Sequence, residues 1–148
     1  MKPMNESRIT FLSRSMNEGF ARAVTAAFIS QLDPAVDELA DIRTAVSEAV
    51  TNCIVHAYPD RLGPVFLTLR LYENGKIQIR VRDRGCGIPD VSKAMEPLFT
   101  TGGEDRSGLG FSVMQSFTDR VRVLSRPGKG TTVTLEKYIN RRRGEGTD

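Results

Sequence analysis

Residues 76–89 read KIQIRVRDRGCGIP, an alternating run of apolar and polar residues that ends in an acidic residue and a glycine-rich turn. Side chains in a strand point to alternate faces, so Asp83 shares its face with the apolar residues Ile77, Ile79 and Val81. A carboxylate on a buried face is costly unless it accepts hydrogen bonds. Asp83 therefore either caps the turn through backbone amides or accepts from a ligand donor such as an exocyclic amine. This stretch alone leaves both alternatives open.

The turn after this strand is rich in glycine, a composition that lets another group approach the backbone closely. Gly85 and Gly87 allow positive φ angles and close approach of a flat molecule, and Pro89 stiffens the exit from the turn. Cys86 lies between the glycines, and we expect it to be inert packing unless its thiolate is exposed.

The period-two alternation extends to either side of this stretch. VFLTLRLYE at 65–73 precedes it, joined by Asn74-Gly75, which is a strong hairpin signal. RVRVLS at 120–125 and TTVTLEKY at 131–138 predict a second hairpin around the turn RPGKG. SRITFLS at 7–13 predicts a short first strand.

Helical periodicity fills most of the remaining chain. Ser15 and Glu18 form a capping-box pattern that predicts a helix from there to about Leu32. Asp33-Pro34 predicts the start of a second helix that continues to about Ala57. LGFSVMQSFTD at 109–119 predicts a third helix after a loop-rich stretch at 85–110. The apolar stripe of the second helix comprises Val36, Leu39, Ile42, Val46, Val50, Cys53 and Ile54.

The order strand, two helices, hairpin, loop, helix, hairpin predicts an α/β (α+β) two-layer sandwich. Antiparallel strands with helices between them bury one sheet face under the helices and leave the other nearer solvent. With 148 residues, 39% of them hydrophobic, the chain is long enough for one core and too short for two ordinary domains. We expect a single domain over residues 1–140 and a disordered polar tail over 141–148.

Charge and cysteine content narrow the class of protein. The net charge of +3 includes the tail RRRGEGTD, without which the body carries +2. No aromatic residues interleave with a basic stripe, so we expect no direct nucleic-acid partner. No apolar segment long enough for a bilayer or a signal peptide is present, so we expect no membrane partner and a cytoplasmic location. The two cysteines match neither a disulfide framework nor a zinc site.

Polar residues recur every fourth position on the second predicted helix. Glu48, Asn52 and His56 therefore lie on one face, which is ordinarily just the solvated side of an amphipathic helix. The same row also suits chemistry, since a carboxylate can take a proton from an attacking hydroxyl and an amide oxygen can ligate Mg²⁺. We expect a local hydrogen bond rather than catalysis for His56, the only histidine.

The stretch LFTTGGEDRSGLGF at 98–111 surrounds hydroxyls and one arginine with glycines. It is either a solvated loop or an anion site at the start of the following helix. Neither a P-loop nor a strand-linked Gly-x-Gly-x-x-Gly fingerprint is present, so those two routes to phosphate binding are unsupported.

In chain order, EAVTN at 48–52, DRGCGIP at 83–89 and GLG at 108–110 resemble the N, G1 and G2 boxes of the GHKL superfamily of ATP-binding proteins. That superfamily includes gyrase, Hsp90, MutL and sensor histidine kinases. The longer stretch at 13–58, with EPLFTT and RSGLGF, resembles the anti-sigma F family of endospore-forming bacteria, a family of GHKL serine kinases. The likeness reaches about Ile139. It implies the GHKL (Bergerat) fold, with a mixed, mostly antiparallel sheet.

The resemblance also implies roles for individual residues. Glu48 would be the general base, Asn52 the Mg²⁺ ligand and Asp83 the acceptor for the adenine amino group, with Gly85 and Gly87 letting the base approach. Arg106 would neutralise charge on the transferring phosphoryl group. Arg22 matches a position that contacts protein partners, although a solvated helix arginine is a fair alternative. The lid over the phosphates would comprise Thr100, Thr101, Arg106, Ser107, Gly108, Leu109 and Gly110.

At the level of the whole protein, the resemblance implies an ATP-dependent protein serine/threonine kinase that uses ATP/ADP and Mg²⁺. As a homodimer it would hold the sporulation sigma factor F off RNA polymerase and phosphorylate a serine of a STAS-type anti-anti-sigma factor. A general-stress anti-sigma kinase of the same superfamily is the alternative. A detached histidine-kinase domain, a gyrase-like ATPase and a binding module without catalysis are less favoured. The family often has lysine and proline after the paired threonines, and Gly102-Gly103 here imply a looser lid.

Overall fold

The computed structural model describes residues 1–96 and 110–139. The helix Met16–Ile29 continues into a 3₁₀ turn at Ser30–Leu32, and the helix Val36–Asn52 continues into a π-helical turn at Cys53–Ala57. Within the described residues no helix is long and apolar enough to cross a membrane. The elements in chain order are β1 (Asn5–Leu12), α1 (Met16–Ile29), α2 (Val36–Asn52), β2 (Pro64–Leu71), β3 (Lys76–Asp83), α3 (Val91–Ala94), α4 (Phe111–Phe117), β4 (Arg120–Arg126) and β5 (Gly130–Tyr138).

The five strands form one sheet in the order β1-β2-β3-β5-β4. Every pairing is antiparallel, and the register places Val81 opposite Leu67 on β2 and opposite Val133 on β5. The predicted fold class is confirmed, and the described sheet is purely antiparallel rather than mixed. Strand β3 lies at its centre, so the stretch 76–89 leaves the sheet from the middle and not from an edge.

One face of the sheet carries the core. Ile77, Ile79 and Val81 of β3 are buried, as the alternation predicts, and belong to the same apolar cluster as residues of α2 and α4. The other face carries arginines and threonines and lacks a helical cover in the described part of the chain. Buried helical residues of α2 and α4 in this cluster include Ile42, Val46, Val50, Phe111 and Met114.

The hairpin between β2 and β3 is confirmed with Asn74-Gly75 at its turn. The Gly75 N–H donates to the Tyr72 carbonyl at 3.0 Å, and Gly75 has a φ of 88°. The second predicted hairpin, β4 to β5, is confirmed as well. The short helix α3 falls within the stretch that the sequence predicts to be loop.

Both predicted helix caps are wrong in detail. Ser15 has helical φ and ψ and makes no side-chain cap, and the Glu18 carboxylate, the other half of the predicted capping box, accepts from Arg22 instead. Asp33 adopts a left-handed conformation with φ 53°, so α2 begins two residues later than predicted. The cap is Ala35, whose N–H donates to Glu38 Oε1 at 2.8 Å.

Candidate functional site

The two carboxylate oxygens of Asp83 have different surroundings. Oδ1 accepts from the Gly85 N–H at 2.9 Å and from the Thr131 N–H at 3.2 Å, whereas Oδ2 accepts from the Cys53 thiol with Sγ at 3.5 Å. Only 6% of the residue is exposed. Turn capping, the first alternative for this residue, is therefore confirmed for Oδ1, and it leaves part of Oδ2 available for a ligand.

A pocket opens between the helices and the sheet beside Asp83. Most of its lining is apolar, with a few polar groups, which is the usual composition of a site for a small molecule. Strand β3 supplies its floor, and α2 and α4 supply its walls. The residues that line it are Ala49, Asn52, Cys53, His56, Ala57, Val81, Asp83, Gly87, Ile88, Phe111, Thr131 and Val133.

The two glycines after Asp83 serve different neighbours. Gly87 has a φ of 78° and lines the pocket, and a Cβ there would meet the Arg126 carbonyl. Gly85 packs against the backbone of Ala57, where a Cβ would meet the carbonyl oxygen. The close approach at Gly85 is thus to the chain itself, and it fixes the glycine-rich turn against the end of the π-helical turn.

Tyr58 fixes the other side of the same turn. Its hydroxyl donates to the Pro64 carbonyl at 2.7 Å and accepts from the Arg84 N–H at 2.6 Å. Burial raises the pKa of this phenol. The first residue after Asp83 is therefore tied to the segment that follows α2, which limits how far the carboxylate can move.

The polar row of α2 splits between two hollows. Asn52 and His56 line the pocket with Asp83, and the His56 carbonyl accepts from the Cys86 thiol at 3.2 Å. Glu48 lies one turn earlier and lines a separate hollow between α1 and α2. It also packs against Gly110, where a Cβ would meet Oε1 of Glu48. Glu48 therefore lies between the start of α4 and the second hollow.

Arg22 lines that second hollow and is held by Glu18. Its Nε donates to Glu18 Oε2 at 2.7 Å, and Ser47 Oγ donates to the same oxygen at 2.6 Å. The bond from Ser47, followed by the Arg22 guanidinium, lowers the pKa of Glu18. The network joins α1 to the residue directly before Glu48, and Arg22 is an ion-paired helix arginine whose side chain is 40% exposed.

Two pocket residues escape sequence reasoning altogether. Cys53 belongs to the apolar stripe of α2 by spacing, yet its thiol reaches Asp83, and burial together with the Asp83 charge raises the pKa of that thiol. Thr131 is 48 positions from Asp83, and only the pairing of β5 with β3 brings its N–H there. No local pattern signals either contact.

Six of the candidate residues lie outside the described part of the chain, as do Gly102-Gly103 and the tail at 141–148. Among residues 1–96 and 110–139, no three or more histidine, cysteine, aspartate or glutamate side chains form a group that could hold a metal ion. Mg²⁺ is usually held by one or two protein ligands together with substrate phosphates, and a single Asn52 amide fits that habit. The six residues outside are Thr100, Thr101, Arg106, Ser107, Gly108 and Leu109.

The fold and pocket define a class of protein, and comparison with known proteins agrees. A family model described as the histidine kinase-like ATPase domain matches residues 12–137. Among solved structures, the RsbU and RsbW domains of Rv1364c from Mycobacterium tuberculosis superpose with a TM-score of 0.68 at 22% identity, covering 93% of this chain and 32% of that one. The catalytic domain of histidine kinase ThkA superposes with a TM-score of 0.54 at 16% identity, covering 92% and 97%. The chain thus contains a GHKL-type nucleotide-binding domain.

Curated relatives identify the family of this chain more specifically than the solved structures do. The anti-sigma F factor of Caldanaerobacter subterraneus subsp. tengcongensis is 56% identical over 144 residues, which cover 97% of this chain and all of the relative. That of Geobacillus stearothermophilus is 50% identical over 134 residues, or 90% and 92% of the two chains. This chain belongs to the anti-sigma F factor family of histidine kinase-like ATPases.

Proposed function

We propose that this protein is an ATP-dependent protein-serine kinase that also binds and inhibits the sporulation sigma factor F. Its substrate is a serine of a STAS-type anti-anti-sigma factor, and it acts as a homodimer in the cytoplasm. The single observation that carries the nucleotide part is Asp83, a buried carboxylate with one oxygen saturated by backbone amides and the other beside an apolar pocket.

The adenine end of the site is the pocket around Asp83. An apolar slot suits a flat base, and Oδ2 can accept from an exocyclic amino group. Gly87 supports this assignment because it lines the pocket without a side chain. Gly85 supports it indirectly, since it lets the turn close against Ala57.

Glu48 and Gly110 mark the phosphate end. Glu48 lies a little over one turn before Asn52 on α2, and Gly110 caps α4 against it. Glu48 takes the proton from the hydroxyl of the acceptor serine as the serine oxygen attacks the γ-phosphorus. The bond between the γ-phosphorus and the oxygen of the β-phosphate breaks, and ADP leaves. When bound, Mg²⁺ neutralises charge on the phosphates, with the Asn52 amide oxygen as its protein ligand.

The remaining phosphate contacts rest on the family likeness. Thr100, Thr101, Ser107, Gly108 and Leu109 form the lid in this proposal. Arg106 offsets negative charge in the transition state, so Arg106→Ala should damage phosphoryl transfer more than adenine binding.

The hollow between α1 and α2 is where protein partners meet the kinase in this proposal. It places Arg22 and Glu48 on one surface, so a partner held by Arg22 would present its serine close to the base. The names of the relatives, at 46–56% identity, favour the F-type sigma factor over a general-stress one. A general-stress anti-sigma kinase is the alternative.

The test is incubation of the purified protein with Mg-ATP and a co-encoded small STAS-type protein, followed by mass spectrometry for phosphoserine. We expect one phosphoserine on the partner. Glu48→Gln should retain nucleotide and sigma-factor binding but lose transfer, because the amide cannot take the serine proton. Phosphoserine formed at the wild-type rate by Glu48→Gln would refute Glu48 as the base, and no phosphoserine with the wild type would refute the kinase.

A further inference from the structure

We infer that Cys53 is a positioning residue for Asp83 and that, through Asp83, it sets the preference of the pocket for a 6-amino purine over a 6-oxo purine. The inference rests on the proposed nucleotide function. Cys53 is the first residue of the π-helical turn that follows Asn52, and only 3% of it is exposed. It lines the pocket together with Asp83.

The thiol of Cys53 has two acceptors within reach. Asp83 Oδ2 lies 3.5 Å from Sγ and the Ala49 carbonyl oxygen lies 3.7 Å away. A thiol has a single hydrogen and is a weak donor, so it favours the acceptor that is both nearer and charged. The thiol therefore points across the floor of the pocket to the carboxylate rather than back along its own helix.

The protein donors around Asp83 then leave few of its lone-pair positions for a ligand. A carboxylate has about four lone-pair positions, two on each oxygen. The N–H groups of Gly85 and Thr131 take both positions of Oδ1, and the thiol takes one on Oδ2. A single acceptor position remains, and its direction is fixed because three protein donors hold the carboxylate in place.

One remaining acceptor discriminates between purines by the group at position 6. An amino group donates into that position, whereas a carbonyl oxygen would face a carboxylate oxygen with no hydrogen between them. Leaving a buried acceptor unpaired is costly, so the 6-oxo base is rejected. If Cys53 is removed, Oδ2 regains a second position, which water can fill, and its direction is no longer fixed.

The test compares Cys53→Ala, Cys53→Ser and wild type in calorimetric binding of ATP and of ITP, whose bases differ in the group at purine position 6 and in the hydrogen that the 6-oxo base carries on N1. For Cys53→Ala we expect ATP affinity to fall about three- to tenfold and the ATP-over-ITP preference to fall with it. Cys53→Ser should restore most of the preference, because its hydroxyl donates as the thiol does. Cys86→Ala removes the exposed cysteine outside the pocket lining and should leave the preference unchanged.

A second readout needs no nucleotide. In the Cys86→Ala background the Cys53 S–H stretching band reports its own hydrogen bond by infrared spectroscopy. The band should lie at the low frequency of a bonded thiol and shift when Asp83 is replaced by Asn. A free-thiol band, or an ATP-over-ITP preference equal in Cys53→Ala and wild type, would overturn the inference. Failure of the wild type to bind ATP would overturn the proposed function instead, while the band position would still decide the Cys53–Asp83 bond.

Discussion

In the proposed function Asp83 has a structural and a binding role, because its two oxygens have different surroundings. Oδ1 holds the glycine-rich turn and the start of β5 together through the N–H groups of Gly85 and Thr131. Oδ2 borders the pocket. A substitution that keeps one oxygen and changes the other can therefore separate folding from ligand binding.

Asp83→Asn is that substitution. The amide oxygen can keep both backbone bonds, while the amide nitrogen turns a donor toward the adenine amino group, so ATP binding should be lost. A ligand at about 100 times its Kd adds about 2.7 kcal/mol of stability, so ATP should raise the thermal midpoint of the wild type and not of the variant. Without ATP the variant should unfold within about 1 kcal/mol of wild type. Micromolar ATP affinity in the variant would contradict the adenine assignment.

Gly110→Ala tests the phosphate end. Gly110 has a φ of 69°, a conformation that costs an L-residue about 1–2 kcal/mol, and its Cβ would press on Oε1 of Glu48. We expect the displaced carboxylate to slow serine phosphorylation at least tenfold, while ADP affinity, set mainly at Asp83, changes little. Gly128→Ala is the matched control, since it has a φ of 76° and no atom within 4 Å of the added Cβ. Equal loss of transfer in both variants would show that strain alone is responsible.

Between elements, the Glu18 network ties α1 to α2. Glu18 Oε2 accepts hydrogen bonds from Ser47 Oγ and from Arg22 Nε. The Glu18 side chain is 25% exposed. The tie has two consequences: it orients Arg22 over the second hollow, and it makes part of the stability depend on an ionised carboxylate.

That dependence has a definite sign. Ser47 and Arg22 lower the pKa of Glu18 below its ordinary value of 4.5. The unfolded chain then binds the proton more readily, so the stabilisation is present above pH 4.5 and is lost as the pH falls through the lower, folded-state pKa. Ser47→Ala should cost about 1 kcal/mol at neutral pH and show a shallower decline below pH 4.5, measured by urea unfolding across pH.

Ser116→Ala is the control for that experiment, because its hydroxyl donates to the Ser112 carbonyl and touches no carboxylate. Ser116→Ala should lower the free energy of unfolding by the same amount at every pH. A loss in Ser47→Ala that is the same at pH 7 and at about pH 3 would mean that the bond to Glu18 does not lower its pKa.

The elements themselves were accessible to prediction because strand alternation and turn residues are local signals. The alternation of the strand alone places Ile77, Ile79, Val81 and Asp83 on the buried face, as the structure has them. The details that failed depend on competition between local partners: Glu18 prefers Arg22 and Ser47 to the Ser15 cap, and no spacing rule ranks those options. The π-helical turn at Cys53–Ala57 departs from the helical period, so the side-chain directions there follow only from the structure.

The candidate site was predictable in part for the same reason. Asp83 and Asn52 belong to one pocket, as their motifs imply, whereas Cys53 and Thr131 enter it through tertiary contacts. Glu48 lines a neighbouring hollow rather than the pocket itself, since it lies a turn earlier on α2.

Across the whole molecule, charge is unevenly distributed. A groove on the sheet face away from the helices is lined by six arginines, and no acidic residue lines it among those described. The chain carries +3 in total, so all other residues together carry −3. The guanidiniums of Arg82 and Arg84 lie 5.0 and 4.8 Å from the Phe66 ring, which concentrates the charge further. The six arginines are Arg8, Arg70, Arg80, Arg82, Arg84 and Arg122.

Repulsion across this face should make the folded protein more stable as salt is added. The Debye length falls from about 30 Å at 0.01 M to about 10 Å at 0.1 M, so NaCl screens the arginines from one another over that range. Arg122→Gln removes one of them and should raise the unfolding free energy by about 0.5 kcal/mol at low salt, with a smaller gain at high salt. Lys93→Gln, an exposed cation on α3 outside the groove, should leave the salt dependence unchanged. Urea unfolding at the two NaCl concentrations measures both effects. A wild-type stability that falls with NaCl would mean that ion pairs such as Arg70–Glu6, with Nε 2.7 Å from Oε1, outweigh the repulsion.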